Sequence, residues 1–372
     1  MGDPMSQRTV RVFTVVLLFV STVFSVAVAE GIARFFIHLP QERIYPQVRY
    51  QAHPVRGFTL QSAQTAYTKD QVATIDSLGF RVNGVPASKN IPKLRILALG
   101  DSFTFGYGVA DRETWPAALE RKLGHTVEII NAGTTSYNVF HEFDILREKG
   151  LGLKPGVVIH GLYWNDHMMN RPPRPTDPPL LTADGHFTWD GDDNPASGPF
   201  WLRGVRWLKG HSVLAHSALM QAKRYITSPD SGVHLYDLEY RKLLAGELVP
   251  DAWQVVDDFY RELKQLGEES GFSVYVIIFP VRDIITMPDP ANHVYPKYIR
   301  EMLDRHGIPY LDGFALWHQA KLGVDLFLPH DDHLAAEGYR IISDEVAAIL
   351  CSDRVLIERI GSICRDDSAV SH

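Results

Sequence analysis

The sequence predicts an α/β fold, an open parallel sheet of five strands covered by helices on both faces. Three observations carry this expectation. Short apolar runs alternate with amphipathic segments from residue 95 to residue 349. The runs are continuous rather than alternating, as strands buried on both faces require. Polar clusters stand at strand ends, where such sheets present groups to ligands.

Taken in order, RILALGD (95–101) is the first strand. TWPAALERKLG (114–124) follows as a helix, with Thr114 as cap, Pro116 in the first turn and Gly124 closing it. Trp115, Leu119 and Leu123 share one face at i, i+4, i+8. VEIINAG (127–133) is the second strand and HEFDILREKGL (141–151) the second helix. GVVIHGLYWND (156–166) is the third strand. The long amphipathic helix 252–271 leads into strand FSVYVIIFP (272–280), stopped by Pro280. HVYPKYIREMLDRHG (293–307) is a helix, IPYLDG (308–313) the fifth strand, and a last helix runs from Leu334 through Ile349.

The N-terminus carries an uncharged apolar run, VFTVVLLFVSTVFSVAVA (12–29), preceded by Arg8 and Arg11. As a helix it suits a bilayer core of roughly 30 Å. The two arginines place the N-terminus in the cytoplasm and the rest beyond the membrane. Ala27-Val28-Ala29 resembles a signal-peptidase site. The length of the run and the amphipathic continuation GIARFFIHL favour an uncleaved signal anchor. The expected organisation is therefore an anchor over 1–36, a juxtamembrane connector over 37–90, a catalytic domain over 91–350 and a tail over 351–372. The expected location is a single-pass membrane protein with an extracytoplasmic domain.

Residues 167–250, rich in Pro, Gly, Asp and Trp, break the alternation. A long insertion leaving a strand end is expected to overhang the site. Its Trp189, Trp201 and Trp207, like Trp164, serve equally well as sugar platforms or as apolar filler.

Composition excludes some classes. With 45% hydrophobic and 22% charged residues the chain is globular, and its net charge of −7 includes no basic block. Nucleic acid is thus not an expected partner. The two cysteines, Cys351 and Cys364, have no CxxC or Cys/His company, so a thiolate zinc site is unsupported. They form either one local disulfide or two free thiols.

Four strand-end clusters carry the chemistry: Gly100-Asp101-Ser102, Asn131-Ala132-Gly133, Asn165-Asp166 and Asp331-Asp332-His333. Acyl transfer needs a nucleophile, a base, an acid that orients the base, and donors for the oxyanion. Ser102 supplies the nucleophile and its own N–H. His333 supplies the base, and Asp331 or Asp332 the acid. The N–H of Gly133 and the amide of Asn165 supply further donors, and a glycine permits close approach. His160, inside the third strand, is expected to be a buried, satisfied histidine.

These four blocks resemble those of the SGNH (GDSL-type) hydrolase family. GDSFTFGYGV carries most of the likeness, and the order Ser, Gly, Asn, Asp/His adds to it. The resemblance spans roughly residues 94–350. It implies a flavodoxin-like sheet and hydrolysis of small acyl esters, commonly acetyl, on carbohydrate or lipid, through an acyl-enzyme and without cofactor or metal. Three departures stand out. Tyr163 takes the place of the third block's glycine. His330 stands three before His333, where many members have Asp, and Asp331 then becomes the acid through an Asp-x-His spacing. Thr134-Thr135 replaces smaller residues in the second block. Two alternatives use the same blocks: an acyltransferase acting on cell-surface polysaccharide, and a non-catalytic polysaccharide-binding or scaffold member. A metal-dependent hydrolase built on Asp331, Asp332 and His333 lacks a second ligand cluster.

Overall fold

The computed structural model describes residues 7–36, 46–85, 92–124, 126–168, 181–187, 200–215, 217–219, 235–248, 250–329 and 331–360. The strands are β1 (Tyr50–His53), β2 (Gly57–Leu60), β3 (Gln64–Thr68), β4 (Gln71–Ile75), β5 (Leu94–Gly100), β6 (Val127–Asn131), β7 (Val157–Leu162), β8 (Ser273–Ile278) and β9 (Tyr310–Asp312). The helices are α1 (Gln7–Phe36), α2 (Ser102–Phe105), α3 (Trp115–Leu123), α4 (Val139–Ile145), α5 (Phe200–His211), α6 (Leu235–Leu244), α7 (Pro250–Ser270), α8 (Val294–His306), α9 (Gly313–Gln319), α10 (Ala336–Ser352) and α11 (Arg354–Ile360). Two compact units form, Met1–Arg43 with Trp189–Val233, and Ile44–Thr188 with His234–His372.

The larger unit holds the predicted parallel sheet, in the order β6-β5-β7-β8-β9. Every residue of β7 is buried, as a central strand covered on both faces must be. Helices pack in pairs on this sheet, α3 with α10 and α4 with α7. The α3 cap forms as the sequence implies: Thr114 Oγ1 accepts the Ala117 N–H at 3.3 Å. On α7, Trp253, Val256, Phe259, Tyr260 and Leu263 are buried, a stripe at helical spacing. Strand order reverses between β5 and β7, which opens the ligand crevice beyond their carboxyl ends.

Three boundaries differ from the sequence reading. Residues 46–85 are not an irregular connector. They form two antiparallel hairpins, β1-β2 and β3-β4, and belong to the larger unit. The tail does not begin at 351, because α10 runs to Ser352 and α11 follows with Leu356 buried. Cys351 is disulfide-bonded, and Cys364 lies outside the described residues. The insertion does not behave as one piece. Its segment Trp189–Val233 belongs to the smaller unit, whereas α6 packs into the larger one through Leu243 and Tyr240. Trp189 and the residues around it lie outside the described residues.

In the smaller unit, α1 is the one described helix long and apolar enough to cross a membrane, over Arg11–Phe36. A signal sequence near the N-terminus meets the same criterion of length and composition.

Candidate active site

Strand β5 delivers the serine. Gly100 stands at φ +147°, and a Cβ there would meet Thr104 Oγ1 at 2.2 Å and the Gly161 carbonyl at 2.9 Å. Only glycine fits between the strand end and α2. Asp101 caps α2, its Oδ1 accepting the Phe103 N–H at 2.8 Å. Ser102 is thereby fixed at the first position of α2, 8% exposed.

His333 comes from the loop before α10. That loop is folded back by the Leu328 N–H on the His333 carbonyl at 2.8 Å. The Ser102 Oγ–H donates to His333 Nε2 at 2.7 Å. His333 Nδ1–H donates to Asp331 Oδ1 at 2.5 Å, a tautomer the network assigns. The His333 backbone N–H meets the same oxygen at 2.9 Å. Burial pushes the Asp331 carboxyl up, but the hydrogen bond and charge of His333 and the Lys69 ammonium outweigh it. Asp331 is held well below the usual carboxylate range. Asp332 faces the same cleft without touching the imidazole, and burial followed by the Asp283 and Asp331 charges pushes its carboxyl up. His330 lies outside the described residues.

A stack of rings backs the histidine. Phe103 lies 4.8 Å from His333 and 3.9 Å from Tyr163. Tyr163, where the family pattern has glycine, is buried and forms part of the cleft wall. Its ring supports Phe103, which supports the imidazole.

The donor residues are placed unequally. Asn165 lines the cleft together with Ser102 and His333. Its one-turn helix is held by Asp166, which accepts the Tyr163 N–H at 2.8 Å. Gly133 does not line the cleft. Its N–H donates to Asn131 Oδ1 at 3.1 Å. A Cβ on it would sit 2.2 Å from the Phe105 nitrogen and 2.5 Å from the Thr104 carbonyl carbon. The backbone of α2 by itself requires glycine here. The cleft has a volume of about 300 Å³.

Two basic residues escaped the sequence reading. Lys69 forms an ion pair with Asp331 Oδ2, opposite the oxygen that holds His333. It sits in the two-residue turn between β3 and β4 at φ +57°. The Gln47 side chain clamps it, accepting the Lys69 N–H at 2.9 Å and donating to its carbonyl at 2.8 Å. Arg81, 2% exposed, donates to the carbonyls of Phe105, Gly106 and Val109 at 2.6–2.7 Å. It thus satisfies the carbonyl end of α2, and Asp111 balances its charge at 3.1 Å. The available signal for Lys69 was QTAYT-KD-QVATI, two β-prone runs around a two-residue turn.

Beneath the cleft lies a buried acidic cluster. Glu142 Oε2 and the Tyr260 hydroxyl hydrogen-bond the two nitrogens of His160 at 2.7 and 2.8 Å. Burial, with the charge of Glu142, raises Asp101 to about 7, and burial with Glu142 and Asp101 raises Asp166 well above the ordinary range. Glu142, His160 and Asp166 bring ligand-type atoms within 4.8 Å of one another. Both nitrogens of His160 are already engaged, so this is a closed hydrogen-bond cluster rather than an open metal position. His167 stacks on Trp253 at 4.5 Å and points its Nδ1 at the Trp164 carbonyl.

The model of the GDSL-like lipase/acylhydrolase family matches residues 98–341. Among solved structures, the chain is similar to an acetyl xylan esterase, AlAXEase, at 15% identity, covering 69% of this chain and 100% of that one with a TM-score of 0.39. It is similar to the lipase/acylhydrolase from Enterococcus faecalis at 16% identity, covering 69% and 95%, TM-score 0.36. A catalytic mutant of Axe2, an acetylxylan esterase from Geobacillus stearothermophilus, is similar at 13% identity, covering 75% and 99%, TM-score 0.38. No curated protein matches the chain in sequence.

Proposed function

The chain belongs to the GDSL-like lipase/acylhydrolase family and is an ester hydrolase, and we propose that it cleaves small acyl esters through Ser102, His333 and Asp331. The observation that carries this is the continuous relay from Ser102 Oγ through His333 to Asp331, at 2.7 and 2.5 Å. In the proposed reaction the Ser102 oxygen attacks the ester carbonyl while its proton passes to His333 Nε2. The tetrahedral intermediate collapses, the C–O bond to the alcohol breaks, and His333 returns the proton to the leaving oxygen. Water then repeats the sequence on the acyl-enzyme. Asp331 is a carboxylate throughout and pairs with the imidazolium that forms. The Ser102 N–H and the Asn165 amide NH₂ donate to the oxyanion. The Gly133 N–H, which donates to Asn131 Oδ1 in this structure, is proposed as the third donor.

A cleft of about 300 Å³ accepts a short acyl group. We assign the substrates to small esters, acetyl foremost, on extracytoplasmic carbohydrate or lipid, with α1 as an uncleaved anchor. The test is Ser102→Ala against a series of 4-nitrophenyl esters, with fluorophosphonate labelling in parallel. Turnover falls by about 10³-fold or more and labelling disappears. Full turnover in the variant overturns the assignment.

A further inference from the structure

The smaller unit carries a second apolar surface besides α1. On α5, Phe200 is 90% exposed, Trp201 66%, Trp207 58%, Leu208 47% and Val205 39%. At 100° per residue these five positions fall on one arc of the helix. Arg203, Arg206 and Lys209 follow one another at three-residue spacing on the other arc. No acidic residue occurs in FWLRGVRWLKGH. A soluble surface helix has the opposite pattern, with its aromatic residues turned inward.

The position of α5 relative to α1 is fixed by hydrogen bonds. The Arg34 guanidinium donates to the His211 carbonyl at 2.6 Å, at the carbonyl end of α5. Glu30 accepts from Ser212 Oγ at 2.8 Å, Val213 N–H at 2.8 Å and Leu214 N–H at 3.1 Å. Arg34 and Glu30 also pair with each other at 2.9 Å. Glu30 is the first charged residue after the uncharged run 12–29. The end of α5 is therefore tied to α1 at the level where that run leaves the hydrocarbon.

We propose that α5 is an interfacial helix, seated on the anionic surface of the bilayer that α1 crosses, with its Phe200, Trp201, Val205, Trp207 and Leu208 face in the acyl boundary. An apolar face with tryptophans opposite an arc that carries three basic and no acidic residues is the composition that binds headgroups and shallow acyl chains. The proposal rests on α1 remaining uncleaved.

The experiment uses the full chain reconstituted in vesicles of phosphatidylcholine and phosphatidylglycerol. An environment-sensitive fluorophore is placed on Trp207→Cys and, separately, on Arg203→Cys. Cys351 is already disulfide-bonded. Doxyl-labelled lipid quenches the fluorophore at 207 about threefold or more over that at 203. Leaving out phosphatidylglycerol reduces the difference. Leu208→Cys repeats the measurement on the same face, and thermal unfolding of each labelled chain reports its folding. Equal quenching at 203, 207 and 208 in a chain that retains α1 overturns the interfacial helix and leaves the anchor standing. An intact mass that begins at Glu30 overturns the anchor, and the interfacial helix with it.

Discussion

Lys69→Met isolates the contribution of a residue that lies outside all four motif blocks. The Lys69 and Asp331 side chains are each 19% exposed and in contact. Two unit charges about 4 Å apart in an effective dielectric of about 20 attract by about 4 kcal/mol. Desolvating the ammonium offsets much of this, which leaves about 1–2 kcal/mol. Lys69 touches neither the cleft serine nor its histidine, so its effect passes through the Asp331 carboxylate. The expected outcome is a fall in kcat of about 5- to 30-fold with KM little changed. The assay is steady-state hydrolysis of 4-nitrophenyl acetate by four chains: wild type, Lys69→Met, Asp331→Asn and the double variant. Because Lys69 acts through Asp331, adding Lys69→Met to Asp331→Asn costs less than about twofold. Losses that multiply in the double variant, or a Lys69→Met enzyme with wild-type kcat, refute the reasoning.

Two further outcomes concern the floor of the site. Gly133→Ala forces the α2 backbone to move, given the 2.2 Å approach to the Phe105 nitrogen. It should cost about 2–3 kcal/mol, read as a lowered Tm in thermal unfolding, and esterase activity should fall with it. Asp101 has a folded-state carboxyl raised to about 7, first by burial and then by Glu142, against the Phe103 N–H that lowers it. A raised pKa means the folded state binds this proton more tightly than the unfolded chain. Its contribution to stability is thus full below the ordinary carboxylate range and lost as pH rises through about 7. Asp101→Asn keeps the acceptor for Phe103 and removes the titration. The stability difference between variant and wild type should therefore grow in favour of the variant from pH 5 to pH 8, measured by urea unfolding.

The sheet was legible because its strands are continuous apolar runs and its helices carry caps and stripes. RILALGD and VEIINAG needed no tertiary information. The first three clusters were legible because they follow strands, whose ends in such sheets face the crevice, whereas Asp331–His333 stands in the loop before α10, beyond the strand ends. What the sequence concealed was polar and local. Residues 46–85 alternate weakly, and nothing in their pattern singles out Lys69 or Arg81. The neighbours of Gly133 across the turn are backbone atoms of α2, a contact that no linear pattern shows. Between Asp331 and Asp332, the Asp-x-His spacing points to Asp331. The loop geometry agrees, with Asp331 Oδ1 2.5 Å from His333 Nδ1.

The two hairpins bear on what counts as this enzyme. The match to the family opens at residue 98, inside β5. A recombinant fragment cut there would display every signature block. Yet it would leave behind the ammonium that faces the triad-side carboxylate and the guanidinium that closes α2. Its serine would stand at the start of a turn with three carbonyls stripped of their donor. The structure that folds around this serine therefore begins upstream of the residues that match the family.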